Sequence, residues 1–162
     1  MKKINRKYGI LFWCTGLAGS GKSMLAKSIK NVVKKEYGPT IVISGDEIRK
    51  IFNLKGYSYS ERLKVVMNYC KLAKFLTNQK INVIFAVIGM MDQPRNWNKK
   101  NIKNYIEIFI KTEFKKLKIR NKKKLYTSQN KEVVGKSIKA EFPKKPDIVV
   151  YNDFTKTKKE LK

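Results

Sequence analysis

A chain of 162 residues is long enough to bury a real core and suggests one domain, residues 1–162. Its two cysteines are too few for a disulfide framework and, with no histidine, make no convincing zinc set; any proton acceptor must be a carboxylate, Lys, Tyr, Cys or water. The formal net charge of +26 would draw polyanions, but the basic residues are scattered and no recognised nucleic-acid motif is present, so the charge reads as a lysine-rich surface around a pocket for anionic nucleotides, with no specific nucleic acid as partner.

The first sixteen residues, MKKINRKYGILFWCTG, are basic and then apolar, as a secretion signal is. The apolar part runs directly into a glycine loop that cleavage would remove, so the expected location is the cytoplasm. No apolar run approaches the length of a membrane span, and no membrane insertion is expected.

Residues 8–15, YGILFWCT, predict a buried strand. The next eight, GLAGSGKS, fit the phosphate-loop pattern G-x-x-x-x-G-K-[ST], with Gly16, Gly21, Lys22 and Ser23 at its fixed positions. Side chains at the glycines would keep backbone N–H groups from converging on phosphate oxygens. Gly16, Ala18, Gly19, Ser20, Gly21, Lys22 and Ser23 are therefore the candidate ATP site, with Lys22 reaching the β/γ-phosphates and the Ser23 hydroxyl holding Mg²⁺. Met24, Leu25, Ile29, Val32 and Val33 then recur at helical spacing until Gly38-Pro39 ends the helix, whose N-terminus adds partial positive charge toward the phosphates.

Residues 40–44, TIVIS, predict a second strand that delivers GDEIRK at its end. In GYSYSERL, Ser58 and Glu61 have capping-box spacing ahead of an amphipathic helix running to about residue 79, with Leu63, Val66, Met67, Cys70, Ala73 and Leu76 as its inner stripe. A third strand is predicted over residues 81–89, a helix over 94–104, a fourth strand over 105–110, then a basic helix and a fifth strand in PDIVVYN. Strands alternating with helices predict an α/β fold, a five-stranded parallel sheet flanked by helices, with ligands at the carboxyl ends of the strands. Both the glycine loop and Gly45-Asp46 lie at such ends.

The segments FWCTGLAGSGKSMLAKSI, GDEIRKIFN, GYSYSERL and KKLY, in this order, resemble adenylylsulfate kinases, P-loop kinases that phosphorylate the ribose 3′-hydroxyl of adenosine 5′-phosphosulfate with MgATP. The resemblance implies Lys22 and Asp46 as catalytic residues, Asp46 orienting or deprotonating the acceptor hydroxyl. It implies Arg49 and Arg62 as grips on the acceptor's anionic groups, Tyr57 as a stacking surface for its base, and Ile88 and Leu125 as further acceptor contacts. Arg120, on the ATP side, and Lys123, on the acceptor side, would belong to a basic lid at about residues 120–142, ahead of a polar tail at 153–162. A homodimer is also implied. From the residues alone, Asp46 could instead be a helix cap and the two arginines a solvated helix face; a non-enzymatic nucleic-acid-binding module with a vestigial loop is the reading from another class.

The departures from the family bear on the acceptor. The lid motif R-D-x-K-G-L-Y stands here as RNKKKLY, with Asn121 and Lys124 changed, and Val133 of VVG occupies the place of an aromatic that closes a base sandwich. Val65 replaces an asparagine. Gly89 stands where the family has a serine, so no phosphoserine intermediate is expected there. Similar VVG and PKKPDIVV features mark a branch tied to surface-polysaccharide genes, which includes cytidine diphosphoramidate kinases. Adenosine 5′-phosphosulfate is the first expected acceptor and a cytidine conjugate the second.

Overall fold

The computed structural model describes residues 3–120, 126 and 132–155. In chain order the elements are β1 (Ile10–Thr15), α1 (Lys22–Tyr37), β2 (Thr40–Ser44), α2 (Gly45–Ile51), α3 (Tyr59–Asn78), β3 (Asn82–Val87), α4 (Asp92–Asn101), β4 (Asn104–Lys111), α5 (Phe114–Arg120) and β5 (Ile148–Tyr151). The five strands form one parallel sheet, as the sequence predicts, and their order is β2-β3-β1-β4-β5.

Strand β1 lies in the middle of the sheet with all six residues buried, which is why its sequence is continuously apolar rather than alternating. Successive residues serve opposite faces. Leu11 and Trp13, with Val83, Phe85 and Val87 of β3, pack against Val66, Tyr69, Cys70 and Ala73 of α3. Ile10, Phe12 and Cys14, with Ile84 and Ala86, pack against Leu25, Ala26 and Val33 of α1. A third cluster at the carboxyl edge of the sheet joins Leu17 and Ala18 to Met90, Phe109, Leu117, Tyr126, Val133 and Val134. This last cluster is the floor on which the glycine loop rests.

Helix packing corrects parts of the sequence reading. Val32 recurs at helical spacing with the other apolar residues of α1 but is 54% exposed; at 100° per residue Leu25, Ala26, Ile29 and Val33 share a centre from which Val32 is rotated by roughly 75°. On α3, Tyr69 and Thr77 join the buried set, while Leu63 and Met67 are only partly buried. Helix α4 spans Asp92–Asn101 rather than 94–104, which puts Pro94 in the first turn, where its missing N–H costs nothing. Ser58 does cap α3, with both halves of the capping box formed.

The start of α1 is different. Its N-cap is Gly21, no side chain caps it, and its first turn has no acidic residue, so the backbone donors there are left to an anion.

In β4, Glu107 interrupts the apolar run YIEIFI and is fully buried. Its carboxylate lies 3.2 Å from Arg95 Nε and 3.1 Å from Lys99 Nζ; these are ion pairs whose angles fall outside hydrogen-bond geometry. Arg95, 2% exposed, also pairs with Asp92 and donates from Nη1 to the Gly89 carbonyl at 3.2 Å. The buried pair thus pins α4 to the exit of β3. Glu107→Ala is expected to lower the unfolding free energy by about 3 kcal/mol, because Arg95 would stay buried with only the half-exposed Asp92 as counter-charge. Urea unfolding followed by circular dichroism checks this; a loss under about 1 kcal/mol would mean that the pair contributes little.

Candidate active site

The glycine loop links β1 to α1, and three of its carbonyls are each held by a different side chain. Lys22 Nζ donates to the Leu17 carbonyl at 2.7 Å, Tyr126 OH to Ala18 at 2.8 Å, and Asn152 Nδ2 to Ser20 at 2.8 Å. These three bonds fix the shape of the loop, and phosphate binding there would draw on its backbone N–H groups. Gly21 has φ +100, and a Cβ there would lie 2.6 Å from Asn152 Nδ2, so glycine is needed for both conformation and space.

Ala18, Gly19, Gly21, Lys22 and Ser23 line a cavity of about 1240 Å³. Gly16 and Ser20, predicted with them, lie beneath the surface. Ser20 is fully buried and its N–H donates to the Leu17 carbonyl at 3.2 Å, so it shapes the loop from below.

The same cavity is lined on its other side by Asp46, Arg49, Tyr57, Arg62 and Ile88. Asp46 is the exposed second residue of α2; the N-cap is Ser44, so the capping alternative does not describe it. Tyr69 OH donates to the Gly45 carbonyl at 3.0 Å and fixes the turn that presents Asp46. Burial pushes the Cys14 thiol up to about 12, which removes it as a proton acceptor; Asp46 and Glu132 are the carboxylate residues that line the cavity.

The arginines are not a solvated face. Arg49 Nη1 donates to the carbonyls of Leu54 at 3.1 Å and Gly56 at 2.8 Å, and Arg62 donates from Nε to Tyr57 and from Nη2 to Glu132, both at 2.7 Å. Their guanidinium carbons stand 4.8 and 5.1 Å from the centroid of the Tyr57 ring. Two cations share one aromatic ring, and burial followed by the Arg49 charge draws the Arg62 pKa below its ordinary value. An entering anion would relieve that repulsion.

Ile88 and Gly89 follow β3 into the cavity wall, where Thr15 Oγ1 donates to the Ile88 carbonyl at 3.0 Å. Gly89 has φ +29, and a Cβ there would lie 3.1 Å from both Trp13 Nε1 and Val87 Cγ1, so a serine would displace its neighbours. Val133 is 5% exposed and lines the cavity beside Val134. Arg120 also lines it, with its guanidinium carbon 4.0 Å from the Phe154 centroid. Lys123 and Leu125, like Asn121 and Lys124, lie outside the described residues.

Sequence reading assigned no role to Asn152, Tyr126, Tyr69 or Arg95. Glu107 offered a signal for Arg95, since a carboxylate inside an apolar strand demands a cationic partner. Tyr126 closes the motif RNKKKLY, which marks its place but not its partner, and Asn152 carried no local signal.

A family model described as adenylylsulphate kinase matches residues 8–151. The chain is 37% identical over 146 residues to the cytidine diphosphoramidate kinase of Campylobacter jejuni subsp. jejuni serotype O:2, covering 88% of this chain and 85% of that protein. It is 27% identical over 156 residues to the adenylyl-sulfate kinase of Buchnera aphidicola subsp. Acyrthosiphon pisum, covering 92% and 76%. Among solved structures, the Mycobacterium tuberculosis APS kinase CysC in complex with AMPPNP and APS matches with a TM-score of 0.80 at 24% identity, over 94% of this chain and 92% of that one; this shows the fold.

Asn152→Ala should free the Ser20 carbonyl and loosen the loop. ATP affinity is expected to fall by about tenfold, the scale of a lost buried hydrogen bond. Calorimetric titration with ATP measures it, and unchanged affinity would mean that the loop holds its shape without Asn152.

Proposed function

The chain belongs to the adenylylsulphate kinase family, and from that premise we propose that it transfers the γ-phosphate of ATP to the ribose 3′-hydroxyl of a nucleotide whose 5′ end carries a further anionic or phosphoramidate group. It is a phosphotransferase. The observation that carries the reading is that the glycine loop and the acceptor set Asp46, Arg49, Tyr57 and Arg62 line one cavity. Phosphoryl transfer needs positioning and charge stabilisation more than covalent chemistry, and this cavity sets Lys22, Arg49 and Arg62 around Asp46.

In this reading Lys22 neutralises the β/γ-phosphates and Asp46 orients the acceptor hydroxyl or takes its proton. Arg49 and Arg62 hold the acceptor's 5′ anions with donors their backbone bonds leave over. Ser23, exposed at the start of α1 on the cavity wall, gives Mg²⁺ a hard oxygen ligand alongside ATP's own phosphates. The ion would neutralise developing charge on the transferred group. A homodimer working in the cytoplasm remains part of this reading.

Two acceptors fit the anion-binding geometry. Adenosine 5′-phosphosulfate has the weight of the family behind it. The cytidine diphosphoramidate reading is favoured by Val133, a buried aliphatic residue of the cavity wall at the position where the resemblance implies a second stacking ring, and by the 37% identity to a kinase of that name. One aromatic face in place of two weakens base recognition by roughly 1–3 kcal/mol, so adenine and cytosine should be poorly separated by stacking alone.

Lys22→Ala is expected to abolish transfer while leaving the thermal transition in place; substantial turnover would remove the glycine loop from the mechanism. Asp46→Asn should reduce kcat on the order of 10²–10⁴-fold with ATP binding retained. Measured kcat/KM for the two acceptors chooses between them, and phosphate located by NMR at any position other than the 3′-oxygen would overturn the proposed reaction.

A further inference from the structure

Residues 132–142 carry Glu132, Val133, Val134, Ile138 and Lys139 along the cavity wall. Among the described residues, two side chains tie this segment to the acceptor side. One is Arg62, through the Glu132 carbonyl. The other is Glu141, which does not line the cavity.

Glu141 joins three walls. Its N–H donates to the Met90 carbonyl at 2.9 Å, its Oε2 accepts from the Asp92 backbone N–H at 2.5 Å, and its Oε1 accepts from Tyr59 OH at 3.2 Å. Tyr59 opens α3 two residues after Tyr57, Met90 follows Ile88 and Gly89 out of β3, and Asp92 opens α4. The N-cap of α4 is Met91, which offers no capping side chain; Glu141 therefore supplies from a distant part of the chain the anionic acceptor that a helix N-terminus favours. The carboxylate is also felt by its partner: burial, then Glu141, raises the Tyr59 pKa above its ordinary value. Beside it, the Phe142 ring packs edge-on against Phe109 at 6.0 Å, which anchors the segment's far end to the sheet.

We propose that Glu141 is a positioning residue for the acceptor: by fastening residues 132–142 to the starts of α3 and α4 and to the exit of β3, it sets the distance between Val133 and Tyr57 without touching the nucleotide. The inference rests on the functional reading above, in which those two residues face the acceptor base. Loss of the tether leaves the glycine loop intact, because Lys22, Tyr126 and Asn152 hold that loop from other directions.

The test combines kinetics with amide exchange. In Glu141→Ala the KM for whichever conjugate the wild-type enzyme turns over should rise by about tenfold, as expected for losing charge-assisted hydrogen bonds, while the KM for ATP stays within about twofold. Glu141→Gln, which keeps an oxygen for the Asp92 N–H, should recover most of the loss, and Tyr59→Phe should cost about threefold. Thermal melting of each variant confirms that the fold persists. In the free protein the Asp92 amide should exchange faster in Glu141→Ala than in wild type, a measurement that needs no acceptor and decides the tether separately from the functional reading. Parallel rises in both KM values, or unchanged Asp92 exchange, would overturn the proposal.

Discussion

A loop that binds phosphate through its N–H groups must dispose of its carbonyls on the other side, and most of what is unusual in this chain follows from that constraint. Three carbonyls of the glycine loop are taken by donors from α1, from the segment before residue 132 and from the residue after β5. The third cluster of the core, which includes Leu17, Ala18, Phe109, Leu117, Tyr126 and Val133, brings Tyr126, one of those donors, within reach. Apolar packing and phosphate-loop geometry are therefore one arrangement seen from two sides. The wall segment that carries Val133 is seated in the same cluster as Leu17 and Ala18 of the glycine loop.

The part of the cavity lined by Arg49, Tyr57 and Arg62 is organised by charge. Arg49 and Arg62 hold the backbone of residues 54–57 and Glu132 in place, and they present two positive groups around Tyr57. Behind this wall the buried Glu107–Arg95 pair fixes the exit of β3 through the Gly89 carbonyl. Arrangements of this sort hold a backbone more firmly than they stabilise a fold, since desolvation cancels much of the Coulomb attraction.

How much of this could be read from residues alone depends on how local the signal is. Strands β1, β3 and β4 were legible because burial on both faces forces continuous apolar runs, and α3 because its capping box lies within four residues. Gly16, Gly21, Lys22 and Ser23 announce themselves by spacing, and Asp46 by its place after a strand. Tyr126, Asn152 and Glu141 make bonds spanning 108, 132 and 49 residues, and nothing near them in the chain marks the partner. Val32 shows the opposite failure: its spacing is helical, but spacing cannot tell the centre of an apolar stripe from its margin. The sequence identified the arginines but not the backbone groups that hold them, because carbonyl direction is decided only once the loops close.

The uncapped start of α1 has a thermodynamic consequence. A helix terminus with no capping side chain and no acidic residue in its first turn stays electrostatically unsatisfied until an anion arrives. Ligand that binds only the native state adds about 2.7 kcal/mol of stability when present at about a hundredfold its dissociation constant, a sizeable share of what holds a domain of this size together. The empty protein and the nucleotide-loaded protein therefore differ in resistance to unfolding as well as in readiness to react. The population of unfolded chains, and with it exposure to cellular proteases, would follow the supply of nucleotide, so that the lifetime of this chain is coupled to the energy state of the cell that makes it.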